Sequence, residues 1–331
     1  MEPLYKTFQA ALADKLEIFC STLNSAPKDL YTPIGYTLGL SAKRLRPLLT
    51  LISCDLFQGN AHEALEAAMA VELFHNFSLI HDDIMDNAPL RRGNPTVHTK
   101  WNSAVAILSG DALLVKAYQT LGQSKLPPPV IQDLTNVFNK VALLVCEGQA
   151  FDMAFETQSE VSIPEYLKMI ELKTAVLLGG ALQMGAIVAG ASTSQCELMY
   201  AFGTQLGIAF QLQDDLLDTY GDGQKFGKQQ GGDILANKKT YLLLKALEGS
   251  VQFPQLNDQL QALLQGKTAD PKEKIEKTIA IYDQCAVKEA TISAMQGYYA
   301  TAMDMLKETQ ASPEKIATIK HFIAELMQRE V

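Results

Sequence analysis

Positions 75–93 read HNFSLIHDDIMDNAPLRRG, with Asp82, Asp83 and Asp86 crowded behind the apolar run 77–80 and Arg91 and Arg92 close after them. On an α-helix, residues four apart lie one above the other, so Asp82 and Asp86 share a face and Asp83 lies beside them. Three clustered carboxylates repel one another and weaken an isolated helix. They suit a site for a hard cation such as Mg²⁺, which takes carboxylate oxygen together with water and phosphate. A single cluster of this kind could equally be a solvated acidic face. The spacing returns, however, in FQLQDDLLDTYGD, at Asp214, Asp215 and Asp218, again closing an apolar helical run. By composition, one DDxxD arises by chance in roughly one chain of this length in twenty, and a pair in well under one in a hundred. Two acidic triads at the ends of two helices could bracket a polyanion through bridging Mg²⁺, each supplying ligands that the other lacks.

Cations that could complete such a site are Lys43, Arg44, Arg46, Arg91, Arg92, Lys173, Lys228 and Lys238. Arginine offers a planar fork to phosphate and lysine a mobile point charge. Each alone reads as a surface charge, and its meaning comes from its company. His75 stands seven residues before Asp82, two turns up the same face, and alone reads as a core histidine. His81 and His98 lack the spacing of zinc ligands. GDGQKFGK is not a P-loop, because no glycine stands at the required distance before Gly227–Lys228 and Gln229 occupies the Ser/Thr position. Gly203 and Gly207 read as a close helix–helix contact.

Helices must carry these residues. Apolar positions recur at i, i+3, i+4 and i+7 through 65–79, 105–121, 137–155 and 198–217, while strand-like alternation is nearly absent. The fold class is all-α. Breaks are expected at Pro27, Pro33, Pro89, Pro95, 127–129, Pro164, 221–232, Pro254, Pro271 and Pro313, with no linker and no repeat of solenoid period. One helical domain over 1–331 is the economical organisation. The stretch 175–191 is the nearest thing to a membrane span, yet it is rich in Gly and Ala and contains Gln183, which predicts a helix buried in a large bundle. No signal peptide and no prenylation box are expected at the ends.

With 331 residues, 47 % hydrophobic and 20 % charged, the chain can bury a sizeable core. A formal net charge of −9 excludes nucleic acid as the expected partner, so any phosphorylated ligand must be handled locally. The five cysteines are far apart and odd in number, as fits reduced thiols in a cytoplasmic protein.

The ordered set AKRLRP, HNFSLIHDDIMD, RRGNPTVH, GDALL, GQAFDM, KTA, FQLQDDLLD and GKQQGGD, from about residue 39 to 240, resembles the trans-isoprenyl diphosphate (polyprenyl) synthases. The resemblance implies a helical bundle around a deep apolar cavity with the two Asp-rich motifs facing each other at its mouth. It implies a homodimer, isoprenoid diphosphates as small-molecule partners, no stable membrane insertion, and three Mg²⁺ per active site with substrate bound. Matched motif by motif, it makes Asp82, Asp86 and Asp214 direct metal ligands, with Asp83 and Asp218 supporting. Lys43, Arg46, His75 and Arg92 would hold the diphosphate of isopentenyl diphosphate. Arg91, Lys173, Lys228 and Lys238 would hold that of the allylic substrate, with Thr174 and Gln211 placing oxygen dipoles near the allylic cation. One departure stands out: Ser41–Ala42 replaces the usual pair of glycines before the Lys–Arg pair, which alters how closely the backbone can approach isopentenyl diphosphate.

The chemistry suits the residues independently of the resemblance. Ionising an allylic C–O bond requires neutralisation of the departing diphosphate and a water-poor pocket with a few fixed dipoles. No protein nucleophile is required. Phe74, Ser78 and Asp82 recur at helical spacing, and Phe77 lies on the order of 7–8 Å deeper along the axis than Asp82. In the resembled family a bulky aromatic at the position of Phe77 accompanies short products, and the small Ser78 leaves more room than a second ring would. The expected product is C20 geranylgeranyl diphosphate, with C15 farnesyl diphosphate as the alternative. A class I terpene cyclase would replace the second DDxxD, and a non-catalytic subunit would be expected to lose a triad or the arginines. This chain keeps them all.

Overall fold

The computed structural model describes residues 3–23, 26–221, 230–266 and 270–327, and they are helical apart from turns and one two-residue hairpin. The helices run α1 Pro3–Ser21, α2 Lys28–Gly39, α3 Leu45–Leu56, α4 Leu65–Met85, α5 Val97–Lys100, α6 Ser103–Gly122, α7 Pro128–Thr157, α8 Ile163–Ile170, α9 Val176–Val188 and α10 Thr193–Tyr220. A π-helical turn, Glu171–Ala175, joins α8 to α9. Beyond α10 come Gly232–Leu235, Tyr241–Ser250, Pro254–Leu264, Pro271–Gln284, Val287–Glu308 and Pro313–Met327.

The punctuation follows the chemistry of helix ends. Ser162 and Glu165 form a reciprocal capping box on α8, and Asn102 accepts a hydrogen bond from the Val105 N–H at the start of α6. Proline stands in the first positions of α8 and of Pro254–Leu264 and Pro271–Gln284, where its missing N–H has no partner to lose. Pro33 corrects the expected set of breaks: it lies inside α2 and the helix continues through it. Its ring is buried, so packing offsets the lost backbone bond.

The described residues form two compact units. The first comprises Met1–Leu143, Leu177–Gly203 and Met305–Phe322. In it α4 packs on α6 and α3, burying Val71, Leu73, Phe74 and Ile80 with Leu48, Leu49, Ile52 and Leu113. Each such side chain contributes about 1.5–3 kcal/mol on leaving water. Gly185 of α9 lies so close to α3 that an added Cβ would sit 2.9 Å from the Ser53 Cβ, and Ser53 Oγ donates to the Leu182 carbonyl at 2.6 Å.

The second unit comprises Leu144–Val176, Thr204–Asp304 and Ile323–Val331. Its core gathers Ile208, Leu212 and Leu216 of α10, Tyr166 and Met169 of α8, and Leu242, Leu244, Ile281 and Tyr282.

The apolar 175–191 segment behaves as expected. The continuous helix Ile163–Val188 is long and apolar enough to cross a membrane, yet 72 % of its most apolar window is buried within the protein. The Gly203/Gly207 pair also does what its spacing predicts: Gly203 lies against Gly179 and Gly207 against Ala175, with no room for a Cβ at either.

Candidate active site

The first acidic motif ends α4, where the helix dipole is negative and carboxylates are disfavoured without cations. The Asp86 N–H donates to the Asp82 carbonyl at 2.8 Å, so the i, i+4 register runs to the last residue, and Asp86 is exposed. Asp83 instead turns inward, 4 % exposed. Its carboxylate accepts from Arg91 Nε at 2.9 Å and Nη2 at 2.5 Å, while Arg91 Nη2 also reaches Asp82 Oδ2 at 3.4 Å. Burial raises the Asp83 carboxyl above its ordinary value, and Arg91 pulls part of that back. The geometry therefore gives Asp83 and Arg91 to each other and leaves Asp82 and Asp86 as the pair sharing a face.

Arg91 arrives there by a hairpin. Leu90–Arg91 pairs antiparallel with Asn94–Pro95, and the turn residues Arg92 and Gly93 have φ of 54° and 74°. Two consecutive positive φ values are the signature of a two-residue hairpin turn. Thr96 locks its base, donating from Oγ1 to the Ala88 carbonyl at 2.7 Å.

Two turns before Asp82 the same helix meets a cluster of positive charge. His75 Nε2 lies 3.1 Å from Arg46 Nη1. Burial, and then the fields of Arg46, Arg92, Arg91 and Arg44, hold the imidazole well below its ordinary pKa, so it is neutral at neutral pH. Burial and the field of Arg44 likewise lower Arg92. Like charges this close are tolerable where an anion answers them. Lys43 is exposed beside this cluster.

In the second unit the other motif divides the same way. Asp214 is exposed and Asp218 half-buried, while Asp215 is 3 % exposed. Asp218 accepts from the Asp233 N–H at 2.9 Å, and its carbonyl accepts from the Gly231 N–H at 2.7 Å, which ties the segment after α10 to the motif. Asp215 accepts from the Tyr166 hydroxyl and from Gln211 Nε2 at 3.2 Å, and Gln211 Oε1 accepts from Thr174 Oγ1 at 3.2 Å. Burial, reinforced by Asp233, pushes Asp215 up to about 8. Buried and hydrogen-bonded to Tyr166, Asp215 is an anchor that orients Gln211, and Gln211 in turn orients Thr174.

Lys173 and Thr174 lie in the π-helical turn, a feature that recurs at functional sites. Lys173 Nζ pairs with Asp152 Oδ2 at 2.6 Å. Gly148 of α7 approaches the Lys173 backbone so closely that no side chain fits between. Lys238 is exposed, its N–H bonded to the Asp233 carbonyl at 2.9 Å. Lys228 lies outside the described residues.

Of the three residues expected to gauge chain length, Phe77 and Ser78 keep accessible surface, while Phe74 is 1 % exposed. Phe74 meets Phe77 in a tilted contact at 5.4 Å and Phe138 edge-on at 5.5 Å, and Phe138 meets Tyr118 at 5.0 Å. Phe74 thus backs the wall that Phe77 presents.

Sequence reasoning passed over Asp152, Tyr166, Asp233 and Glu72. Asp152 lies in GQAFDM and Asp233 closes GKQQGGD, two motifs that had drawn notice. Tyr166 had no local signal at all.

The exposed aspartates offer the hard oxygen donors that Mg²⁺ prefers, and that donor set is the fit the residues show for such an ion. Among the described residues, no three His, Cys, Asp or Glu side chains converge on a common point as they stand.

The sequence profile described as polyprenyl synthetase matches residues 27–282. The geranylgeranyl diphosphate synthase of Sulfolobus acidocaldarius is 37 % identical over 315 residues, 95 % of this chain and 94 % of that one. A crystal structure of a geranylgeranyl pyrophosphate synthase superposes with a TM-score of 0.91 at 42 % identity over 100 % of both chains. One from Corynebacterium glutamicum, described as complexed with isoprenyl diphosphate and magnesium, superposes with a TM-score of 0.86 at 26 % identity over 98 % of each.

Proposed function

The chain belongs to the polyprenyl synthetase family and is a trans-prenyltransferase, and from that premise we propose that it condenses isopentenyl diphosphate with an allylic diphosphate (dimethylallyl, geranyl or farnesyl) by ionisation, condensation and elimination, with C20 geranylgeranyl diphosphate as product. The observation that carries this reading is that, with Arg44 given to Glu72 and Arg91 to Asp83, Arg46 and Arg92 still bring their charge to His75, on the helix that ends at the Asp82/Asp86 motif. A diphosphate answers that charge, and a prenyl donor needs the adjoining carboxylates.

Lys43, Arg46, His75 and Arg92 bind the isopentenyl diphosphate. Arg91, Lys173, Lys228 and Lys238 bind the allylic one. Asp82, Asp86 and Asp214 are the residues that would hold Mg²⁺, three ions per site with substrate bound, and Asp83 and Asp218 support them from outside. When bound, the metal supplies neutralisation of the departing diphosphate. Thr174 and Gln211, fixed through Asp215, present oxygen dipoles to the allylic carbon as positive charge develops. The released diphosphate takes the proton lost on elimination. Phe77 limits the length of the tail.

The C15 product is the alternative. A class I terpene cyclase or a non-catalytic subunit is disfavoured, because both Asp motifs and the Lys43/Arg46 pair are present. The same proposal takes 1–331 as one cytoplasmic domain that pairs with a second copy, free of stable membrane insertion. Support for pairing comes from Ile107, Leu108 and Val115 on α6 and Leu143 on α7, all 45 % exposed or more.

Radiolabelled isopentenyl diphosphate incubated with each allylic primer and Mg²⁺ tests the reading. Incorporation into C20 material, abolished by EDTA, is expected. No incorporation with any primer, with EDTA making no difference, overturns it in favour of a scaffold.

A further inference from the structure

α4 carries one buried acidic residue that neither aspartate motif uses. Glu72 is 2 % exposed, in a stretch otherwise built of Ala, Met, Val, Leu and Phe. A buried carboxylate is costly unless it is paired and hydrogen-bonded. Its partner is Arg44, whose Nη1 donates to Glu72 Oε1, and Asn76 Nδ2 donates to the same oxygen at 2.8 Å and to the Glu72 carbonyl at 2.8 Å.

Arg44 is held by more than Glu72. Its Nη2 donates to the Leu38 carbonyl and, at 3.4 Å, to the Leu40 carbonyl, closing the C-terminal end of α2. Its own backbone is left-handed, φ 49° and ψ 42°, at the N-cap of α3. A non-glycine residue stays in that conformation only where its surroundings over-determine it. Here one guanidinium joins the end of α2, the start of α3 and the middle of α4. Lys43 precedes Arg44, and Arg46 follows two residues on with Nη1 3.1 Å from His75 Nε2. Glu72, His75 and Asn76 lie within one turn of α4, so the face that clamps Arg44 also meets Arg46.

We propose that Glu72 is a positioning residue for isopentenyl diphosphate: through Arg44 it sets the 41–44 loop and the first turn of α3, and with them Lys43 and Arg46, without touching substrate. The inference rests on the reading of Lys43 and Arg46 given above. It also says why the loop can dispense with the paired glycines usual before Lys43. With Ser41 and Ala42 in their place, the shape of the loop is set by the Arg44 clamp and not by backbone freedom.

The test is steady-state kinetics of Glu72→Gln and Arg44→Lys, varying each substrate in turn. Glu72→Gln keeps the shape and removes the charge; Arg44→Lys keeps the charge and removes the fork. Each should raise KM for isopentenyl diphosphate at least tenfold, while KM for the allylic diphosphate stays within twofold. The double variant should lose little more than either single one, because the two residues act as a unit. A loosened fold would move both KM values together, and that outcome overturns the proposal, as does an unchanged KM for isopentenyl diphosphate. Should Glu72→Gln fail to fold, Arg44→Lys carries the same test. The wild-type protein separates the two levels: if it incorporates no isopentenyl diphosphate, the proposed function falls and this inference with it. If the wild type saturates normally while the variants match it, this inference alone falls.

Discussion

Lys173 Nζ lies 2.6 Å from Asp152 Oδ2, a contact made across 21 residues between the π-helical turn and α7. Both side chains are 23 % exposed, so the pair contributes under about 1 kcal/mol to stability, and its consequence is where the ammonium sits. Asp152→Asn should therefore leave the melting temperature nearly unchanged and lower kcat/KM for the allylic diphosphate about tenfold, or ~1.4 kcal/mol of transition-state stabilisation. KM for isopentenyl diphosphate should not move. A shift in melting temperature with unchanged kinetics would make the pair a structural one.

Phe77 and Phe74 touch, yet their substitutions should do different things. Phe77 keeps accessible surface, so Phe77→Ala should extend the product beyond C20 at modest cost in stability. Phe74 is 1 % exposed and packed on Phe138, so Phe74→Ala should destabilise by about 3–5 kcal/mol. Product analysis by chain length and urea midpoints read the two effects separately. If Phe77→Ala makes no longer product, this ring does not gauge the tail.

What could be read in the sequence was what is local along it. The i, i+4 register of Asp82 and Asp86, the apolar period of α4 and α10, and the small residues of α9 each follow from a few neighbouring positions. The inward turn of Asp83 and Asp215 does not, because it depends on partners brought from elsewhere: Arg91 by a hairpin, and Tyr166 from 49 residues away. Residue types were thus legible, and the division of each motif into a buried, partnered carboxylate and more accessible ones was not. Glu72 shows the same limit, since a glutamate in an apolar helix signals only that some cation must meet it, and Arg44 stands 28 residues off. Pro33 shows the reverse error, a strong local breaker absorbed by packing.

Asp215 predicts how stability responds to alkali. Its folded value of about 8 lies above the ordinary carboxylate range, so between about pH 4 and 8 the folded chain holds a proton that the unfolded chain has released. Stability then falls as pH rises through that window, by at most about 1.4 kcal/mol per pH unit from this group, and levels off above it. Asp215→Asn, which keeps the hydrogen-bonding shape and does not titrate, should flatten the slope. Urea midpoints of the EDTA-treated protein from pH 5 to 9 decide it; equal slopes in the two proteins would mean that Asp215 ionises normally.

His75 predicts the opposite limb. Burial and four surrounding arginines depress its pKa well below 6.5, so on acidification the unfolded chain binds a proton that the folded chain refuses. Stability from this group is present above about pH 6.5 and is lost as pH falls toward the depressed value. The contact with Arg46 fixes the tautomer: the guanidinium donates, so Nε2 accepts and the proton sits on Nδ1. Glutamine can accept the same bond through its amide oxygen and cannot titrate. His75→Gln should keep KM for isopentenyl diphosphate within a few-fold and lose stability less steeply between pH 6.5 and 5, whereas His75→Ala should raise that KM about tenfold, ~1.4 kcal/mol of binding. Denaturation midpoints at pH 5, 6 and 7 are the measurement, and an acid slope in His75→Gln as steep as in the wild type would assign the loss to another group.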